Sequence, residues 1–199
     1  MLNIALFGTS ADPPTAGHQE ILNWLSQRFD QVAVWASNNP FKLHQTPLPH
    51  RMAMLQLLID DISPPFHNIH LYPELSYSRT LHTLEVAEKI WQNAKFTLVV
   101  GSDLIVQLPN WYRSNELLER VDVLVVPRPG YPIEESALQV LRHKGGRVAI
   151  ADLTGPDTSS TAYREHQEID GITPPVEAYI HRERLYTCQD DSKEKQPIR

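Results

Sequence analysis

Six short apolar runs, rich in β-branched and aromatic residues, recur along the chain: Ile4 to Phe7, Val32 to Trp35, Ile69 to Leu71, Phe96 to Val100, Val123 to Val126 and Val148 to Ile150. Several are apolar at every position instead of alternating, the pattern of strands covered on both faces. Between them lie segments with helical spacing. Ile21, Leu22, Leu25 and Phe29 share one face, as do Met52, Leu55, Ile59 and Ile62, and then Leu81, Leu84 and Trp91. The alternation predicts an α/β fold, a doubly wound, Rossmann-like parallel sheet of about five to six strands with helices on both faces. In such sheets ligands bind beyond the carboxyl ends of the strands, where the strand order reverses. Chemistry is therefore to be sought just after each strand.

The chain has 199 residues, and at about 150 residues per domain this predicts one domain, residues 1–187, followed by a disordered charged tail, 188–199. A single cysteine, Cys188, excludes an internal disulfide framework and a cysteine-based zinc site. The formal charge of −6 argues against broad nucleic-acid binding, but it leaves room for anionic small ligands held by a local cluster of donors. There is no basic leader, and no run approaches the roughly 20 apolar residues of a membrane helix, so a cytoplasmic protein is expected. Prolines outnumber glycines, 16 to 8. Most fall in loops after strands or at helix starts (Pro13, Pro14, Pro40, Pro49, Pro109, Pro127, Pro129, Pro156, Pro174), where they pre-set loops that must hold a ligand.

After the first run the chain reads Gly8-Thr9-Ser10-Ala11-Asp12-Pro13-Pro14-Thr15-Ala16-Gly17-His18. A tight loop feeding a helix N-terminus suits a phosphate, and His18 in the first helical turn can donate to a phosphate oxygen. Thr15 as an ordinary N-cap and His18 as a surface residue fit the same letters. The loop is neither GxGxxG nor a Walker A motif, which disfavours a dehydrogenase or a P-loop kinase. Lys42 and Arg51, after the second run, could face the same ligand. After the fourth come Gly101-Ser102-Asp103 and Asn110-Trp111-Tyr112-Arg113: Asp103 can accept from a sugar hydroxyl, and Trp111 could stack on a heterocycle or simply pack in the core. Pro127-Arg128-Pro129-Gly130-Tyr131 is a stiff turn carrying a cation. After the sixth, Ser159-Ser160-Thr161 opens a helix with Arg164 one turn inside, either a second phosphate cradle or plain helix capping. Thr173 and Pro174 read as N-cap and N1 of a last helix through Arg182.

Two of these motifs resemble those of the nucleotidylyltransferase superfamily: Thr15-Ala16-Gly17-His18 matches its (H/T)xGH signature, and Ser159 to Arg164 its serine/threonine-rich helix start with a basic residue. Within that superfamily the chain is most similar to bacterial nicotinate-nucleotide adenylyltransferases. Asp12-Pro13-Pro14, Asn39-Pro40-Phe41-Lys42, His50-Arg51, Thr80 with Thr83-Leu84, Gly101-Ser102-Asp103, Trp111-Tyr112-Arg113, Arg128-Pro129-Gly130-Tyr131 and Leu185-Tyr186 follow that family's order. Two positions depart from it. Thr9 stands where the family usually carries a second glycine, and Thr15 where it usually carries histidine; threonine at 15 is normal in the sister pantetheine-phosphate adenylyltransferases.

The resemblance implies a nucleotidylyltransferase-type fold and a reaction joining ATP, with Mg2+, to nicotinate mononucleotide. It implies catalytic roles for His18, Thr15 and Arg164, and ATP contacts from Gly8, Thr9, Ser10, Gly17, His18, Ser159, Ser160 and Arg164. For the mononucleotide it implies Lys42, Arg51, Thr83, Asp103, Trp111, Tyr112 and Arg128. No metal ligand on the protein itself is implied. Adenylyl transfer to phosphopantetheine and a non-catalytic nucleotide-binding relative are the alternatives.

Overall fold

A computed structural model describes residues 1–38, 45–153, 160–166 and 171–186. The six apolar runs become six strands: β1 (Asn3–Thr9), β2 (Gln31–Ala36), β3 (Ile69–Leu71), β4 (Lys95–Gly101), β5 (Asp122–Val126) and β6 (Arg147–Ile150). They form one sheet in the order β3-β2-β1-β4-β5-β6, and every pairing is parallel. The helices are α1 (Ala16–Ser26), α2 (Leu48–Asp60), α3 (Thr80–Ile90), α4 (Ser114–Arg120), α5 (Glu135–His143), α6 (Ser160–His166) and α7 (Pro174–Glu183). None is long and apolar enough to cross a membrane.

The all-apolar strands are explained by two cores, one on each side of the sheet. Ala5 and Phe7 of β1, with Val32, Val34 and Ala36 of β2, pack against Leu22 and Leu25 of α1, Met54, Leu55 and Leu58 of α2, and Val176 and Ile180 of α7. The residues between them, Ile4, Leu6, Ala33 and Trp35, face Leu81 and Leu84 of α3, Leu117 and Leu118 of α4, and Leu138 and Leu141 of α5. Successive side chains of a strand point to opposite faces, so each strand needs apolar residues at both parities.

The helical faces read from spacing need one correction. On α2 the buried residues are Arg51, Met54, Leu55 and Leu58, a stripe rotated from the expected Met52, Leu55, Ile59 and Ile62. The cause is Arg51, whose charge disguises the stripe in the sequence. Inside the protein its Nε and Nη1 donate to carbonyls. Phe29, Ile62 and Trp91 lie beyond the last turns of their helices and pack on the cores from there. Thr173 is the N-cap of α7 by position, yet its side chain makes no capping hydrogen bond.

The two ends of the sheet differ. At the amino ends of β4, β5 and β6, Asp122 receives Lys95 Nζ at 2.7 Å and the Arg147 guanidinium. At the carboxyl ends the ladder between β1 and β4 stops at Leu6↔Leu98. The β1–β2 ladder runs on to Thr9↔Ala36, and β4–β5 to Gly101↔Val126. The last three residues of β1 and of β4 therefore stay with their outer neighbours and part from one another. This is the point where strand order reverses, and a crevice opens there.

Candidate active site

The β1–α1 loop forms one wall of the crevice. Gly8 has a packing reason of its own. A Cβ at Gly8 would lie 2.5 Å from the Trp35 indole, which crosses it from the adjacent position on β2. Thr15 caps α1 in a reciprocal capping box with His18. The Thr15 N–H donates to His18 Nδ1 at 3.0 Å, and the Thr15 hydroxyl lies 2.9 Å from the same nitrogen. His18 Nε2 lies 2.8 Å from Thr9 Oγ1. A backbone N–H can only donate, so Nδ1 carries the lone pair and the ring hydrogen of the neutral imidazole sits on Nε2. Burial, and then the charge of Arg128, push this imidazole down from 6.5 to about 4. His18 is thus a neutral donor at pH 7, at the positive end of α1. Gly17 occupies the turn just before it.

The loop is held from three sides. Arg51, 2% exposed, donates Nη1 to the carbonyls of Ser10 at 2.9 Å and Ser37 at 2.8 Å, and Nε to that of Thr46 at 2.8 Å. Asp12, also buried, accepts from Tyr186 Oη at 2.6 Å and from the Thr46 N–H at 3.3 Å. Burial, then the bond to Asp12, raises the Tyr186 phenol far above its ordinary value. From α6, Ser160 Oγ donates to the Pro13 carbonyl at 2.7 Å, and Arg164 donates to the Asp12 carbonyl and to Thr161 Oγ1. The first and last motifs of the sequence, about 150 residues apart, therefore meet at residues 12–13.

The loops after β4 and β5 form the opposite wall. Ser102, buried, accepts from the Arg128 N–H at 3.0 Å and donates to the Tyr131 carbonyl at 2.8 Å, tying the two loops together. Asp103 and Arg128 form an ion pair at 2.9 Å. Ile105 and Leu108 anchor the segment in the core. Ser114 then fixes the aromatic turn, with Oγ donating to the Pro109 carbonyl and its N–H to that of Trp111. Trp111 is partly buried against the core, whereas Tyr112 is exposed beneath Arg79, whose guanidinium carbon lies 4.0 Å from the ring centroid. Thr83, on the buried face of α3, donates its hydroxyl to the Leu75 carbonyl at 2.9 Å.

The structure thus brings Thr9, Thr15 and His18 together at the head of α1. It joins Ser160 and Arg164 to the same loop, and sets Asp103, Trp111, Tyr112 and Arg128 on the β4 and β5 side. Arg51 Nε and Nη1 and the Thr83 hydroxyl are engaged by main-chain carbonyls. Lys42, Ser159 and the tail 188–199 lie outside the described residues. Sequence reasoning overlooked Asp12, Ser102 and Tyr186 as builders of the site. Asp12 and Tyr186 stood in quoted motifs, but no local pattern links them.

Residues 6–166 match the family model described as cytidylyltransferase-like. A protein of Synechocystis sp. named "probable nicotinate-nucleotide adenylyltransferase" is 42% identical over 93% of this chain and 99% of its own. The nicotinate-nucleotide adenylyltransferase of Bacillus subtilis is 28% identical over 94% of this chain and 99% of its own. A solved structure of the Plasmodium falciparum nicotinic acid mononucleotide adenylyltransferase, complexed with NaAD, superposes with a TM-score of 0.80 at 23% identity, covering 94% of this chain and 98% of that one. That likeness establishes the shared fold. The chain belongs to the nicotinate-nucleotide adenylyltransferase family of cytidylyltransferase-like proteins.

Proposed function

We propose that the protein transfers the adenylyl group of ATP to nicotinate mononucleotide, giving nicotinate adenine dinucleotide and pyrophosphate. A phosphate oxygen of the mononucleotide attacks the α-phosphorus of ATP in line. The new P–O bond forms as the bond to the β-phosphate oxygen breaks, and pyrophosphate leaves with its electron pair. No enzyme nucleophile is required. Catalysis then consists of positioning and of donors aimed at the charge that develops on the phosphate oxygens.

The observation that carries this reading is the neutral His18 donor at the head of α1, beside the Arg128 charge, in the crevice where β1 and β4 part. His18 is assigned to the α-phosphate region. Gly8, Thr9, Ser10 and Gly17 form the loop around the ATP phosphates, and Thr15 holds the imidazole. Arg164 and Ser160 are assigned to the triphosphate side because they already dock on the phosphate loop. By family resemblance Ser159 joins them and Lys42 serves the mononucleotide phosphate.

On the other wall, Trp111 and Tyr112 are assigned to the pyridine ring, and Asp103 with Arg128 to a ribose and its phosphate. The engaged polar atoms of Arg51 and Thr83 support a scaffolding role for both, in place of direct substrate contact. The described residues hold no cluster of three or more potential metal ligands. By family resemblance, magnesium is assigned to the substrate, carried in with the ATP triphosphate. Residues 1–187 are taken as one catalytic unit working in the cytoplasm.

The test is to incubate the protein with ATP and Mg2+ and, in turn, nicotinate mononucleotide, nicotinamide mononucleotide or phosphopantetheine. Pyrophosphate and the adenylylated product are measured. Dinucleotide from nicotinate mononucleotide above the other acceptors is expected. Preference for phosphopantetheine, or no pyrophosphate with any acceptor, would overturn the proposal.

A further inference from the structure

The geometry points to the Thr9 hydroxyl as the group through which His18 acts on phosphate. This rests on the adenylyl-transfer reading above, and it gives a residue the family does not ordinarily have a role that the family motif does not supply.

Three observations carry it. His18 Nδ1 is occupied by the Thr15 N–H, which leaves Nε2–H as the ring's donor, and Nε2 lies 2.8 Å from Thr9 Oγ1. Thr9 Oγ1 also accepts from the Ala11 N–H at 3.3 Å. A hydroxyl oxygen has two lone pairs and one hydrogen, so with both lone pairs receiving, the hydrogen remains to donate. No acceptor for it is found among the described residues. Thr9 is also the last residue of β1, three places past Leu6, where β1 and β4 part. It is partly exposed there. Its hydroxyl therefore stands at the rim of the crevice as a donor polarised by the imidazole behind it.

Phosphate oxygens accept and do not donate, and donors in a chain of hydrogen bonds strengthen one another. A phosphate in the crevice would thus meet the Thr9 O–H, backed by His18 Nε2–H, with no proton changing owner. The two departures from the family pattern then belong together. Thr15 stands in place of an imidazole and holds His18, while Thr9 brings a side-chain donor to a position where glycine could offer none.

The test compares Thr9→Val, which keeps a β-branched shape at the strand end, with Thr9→Ser, which keeps the hydroxyl. Thr9→Ala stands by if the valine variant fails to fold, with thermal unfolding as the check. In steady-state assays with MgATP and nicotinate mononucleotide, Thr9→Val should lose kcat by at least about tenfold while Thr9→Ser stays within about threefold of the parent. Because Thr9 is assigned to act with His18, adding Thr9→Val to His18→Ala should cost no more than about a further threefold. Thr9→Val within about twofold of the parent kcat, or loss factors that multiply in the double variant, would overturn the relay.

Calorimetric binding of MgATP separates the two readings. An inactive parent protein would sink the adenylyl-transfer reading. In that case the relay stands if Thr9→Val weakens MgATP at least about fivefold and Thr9→Ser does not, and it falls if Thr9→Val binds as the parent does.

Discussion

Tyr186 donates its phenolic hydrogen to the Asp12 carboxylate across 2.6 Å, joining the C-terminal segment to the β1–α1 loop over 174 residues of sequence. Both partners sit in a low-dielectric setting, where losing one leaves the other short of a hydrogen bond. Tyr186→Phe removes one oxygen and keeps the ring packed edge-on to Tyr163. It should destabilise the protein by about 1–3 kcal/mol in urea unfolding, with native secondary structure retained. A shift under about 0.5 kcal/mol would mean that the bond does not tie the two segments together.

The imidazole of His18 supplies a pH prediction. Its folded-state value, about 4, lies below the ordinary 6.5. Between these values the unfolded chain binds the proton more readily than the folded one, so stability rises with pH across that window. The contribution is fully present above 6.5 and is lost as pH falls toward 4. His18→Asn should flatten the decline in stability from pH 6.5 to 4. Nitrogen NMR of the parent should show a single Nε2–H tautomer at neutral pH. MgATP should move the titration upward, because the polyphosphate charge favours imidazolium. A midpoint near the ordinary value in the free protein would contradict the partly buried, hydrogen-bonded setting.

Gly8 predicts a packing defect. Any side chain there meets the Trp35 indole at 2.5 Å, and that indole is locked in the core on the α3 side of the sheet. Gly8→Ala should cost about 1–3 kcal/mol, as overpacking does. Pairing it with Trp35→Leu should recover part of the loss relative to the sum of the single changes, because the clash disappears with the indole. Strict additivity in thermal unfolding would show that Trp35 is not what Gly8 accommodates.

Trp111 and Tyr112 can be separated kinetically. Tyr112 is the exposed ring, and Trp111 leans on the core. Tyr112→Ala should therefore leave stability nearly unchanged and raise KM for the mononucleotide by about tenfold, with little change for ATP. Trp111→Ala should raise the same KM and also lower the unfolding temperature. Equal rises in both KM values would remove the aromatic pair from the pyridine site.

The strands and their doubly wound, parallel arrangement were legible because burial on both faces leaves runs that are apolar at every position, with helical spacing between them; the order β3-β2-β1-β4-β5-β6 comes from the fold. Ile4 to Phe7 reads as a strand before any contact is known. The β1–α1 loop and its cap were legible for a related reason: glycine, proline and a capping threonine have local causes. The carbonyl contacts of Arg51 were not legible. Its charge suggests a ligand, and only the fold gathers the carbonyls of Ser10, Ser37 and Thr46 around it. The Asp12–Tyr186 bond and the placement of Gly8 beneath Trp35 are equally non-local, since each depends on which segments the fold makes neighbours. Thr9 reads in the sequence only as a departure from a motif; its bond to His18 exists only in the fold.

The Lys95–Asp122–Arg147 cluster closes the amino ends of β4, β5 and β6, and the crevice lies at the carboxyl end of the sheet. Endurance and chemistry thus have separate addresses on the same strands. Substitutions around Asp122 should tune heat and acid tolerance while substrate kinetics stay still. A lineage adapting to a hotter or more acidic setting could alter one end of this sheet without renegotiating the other.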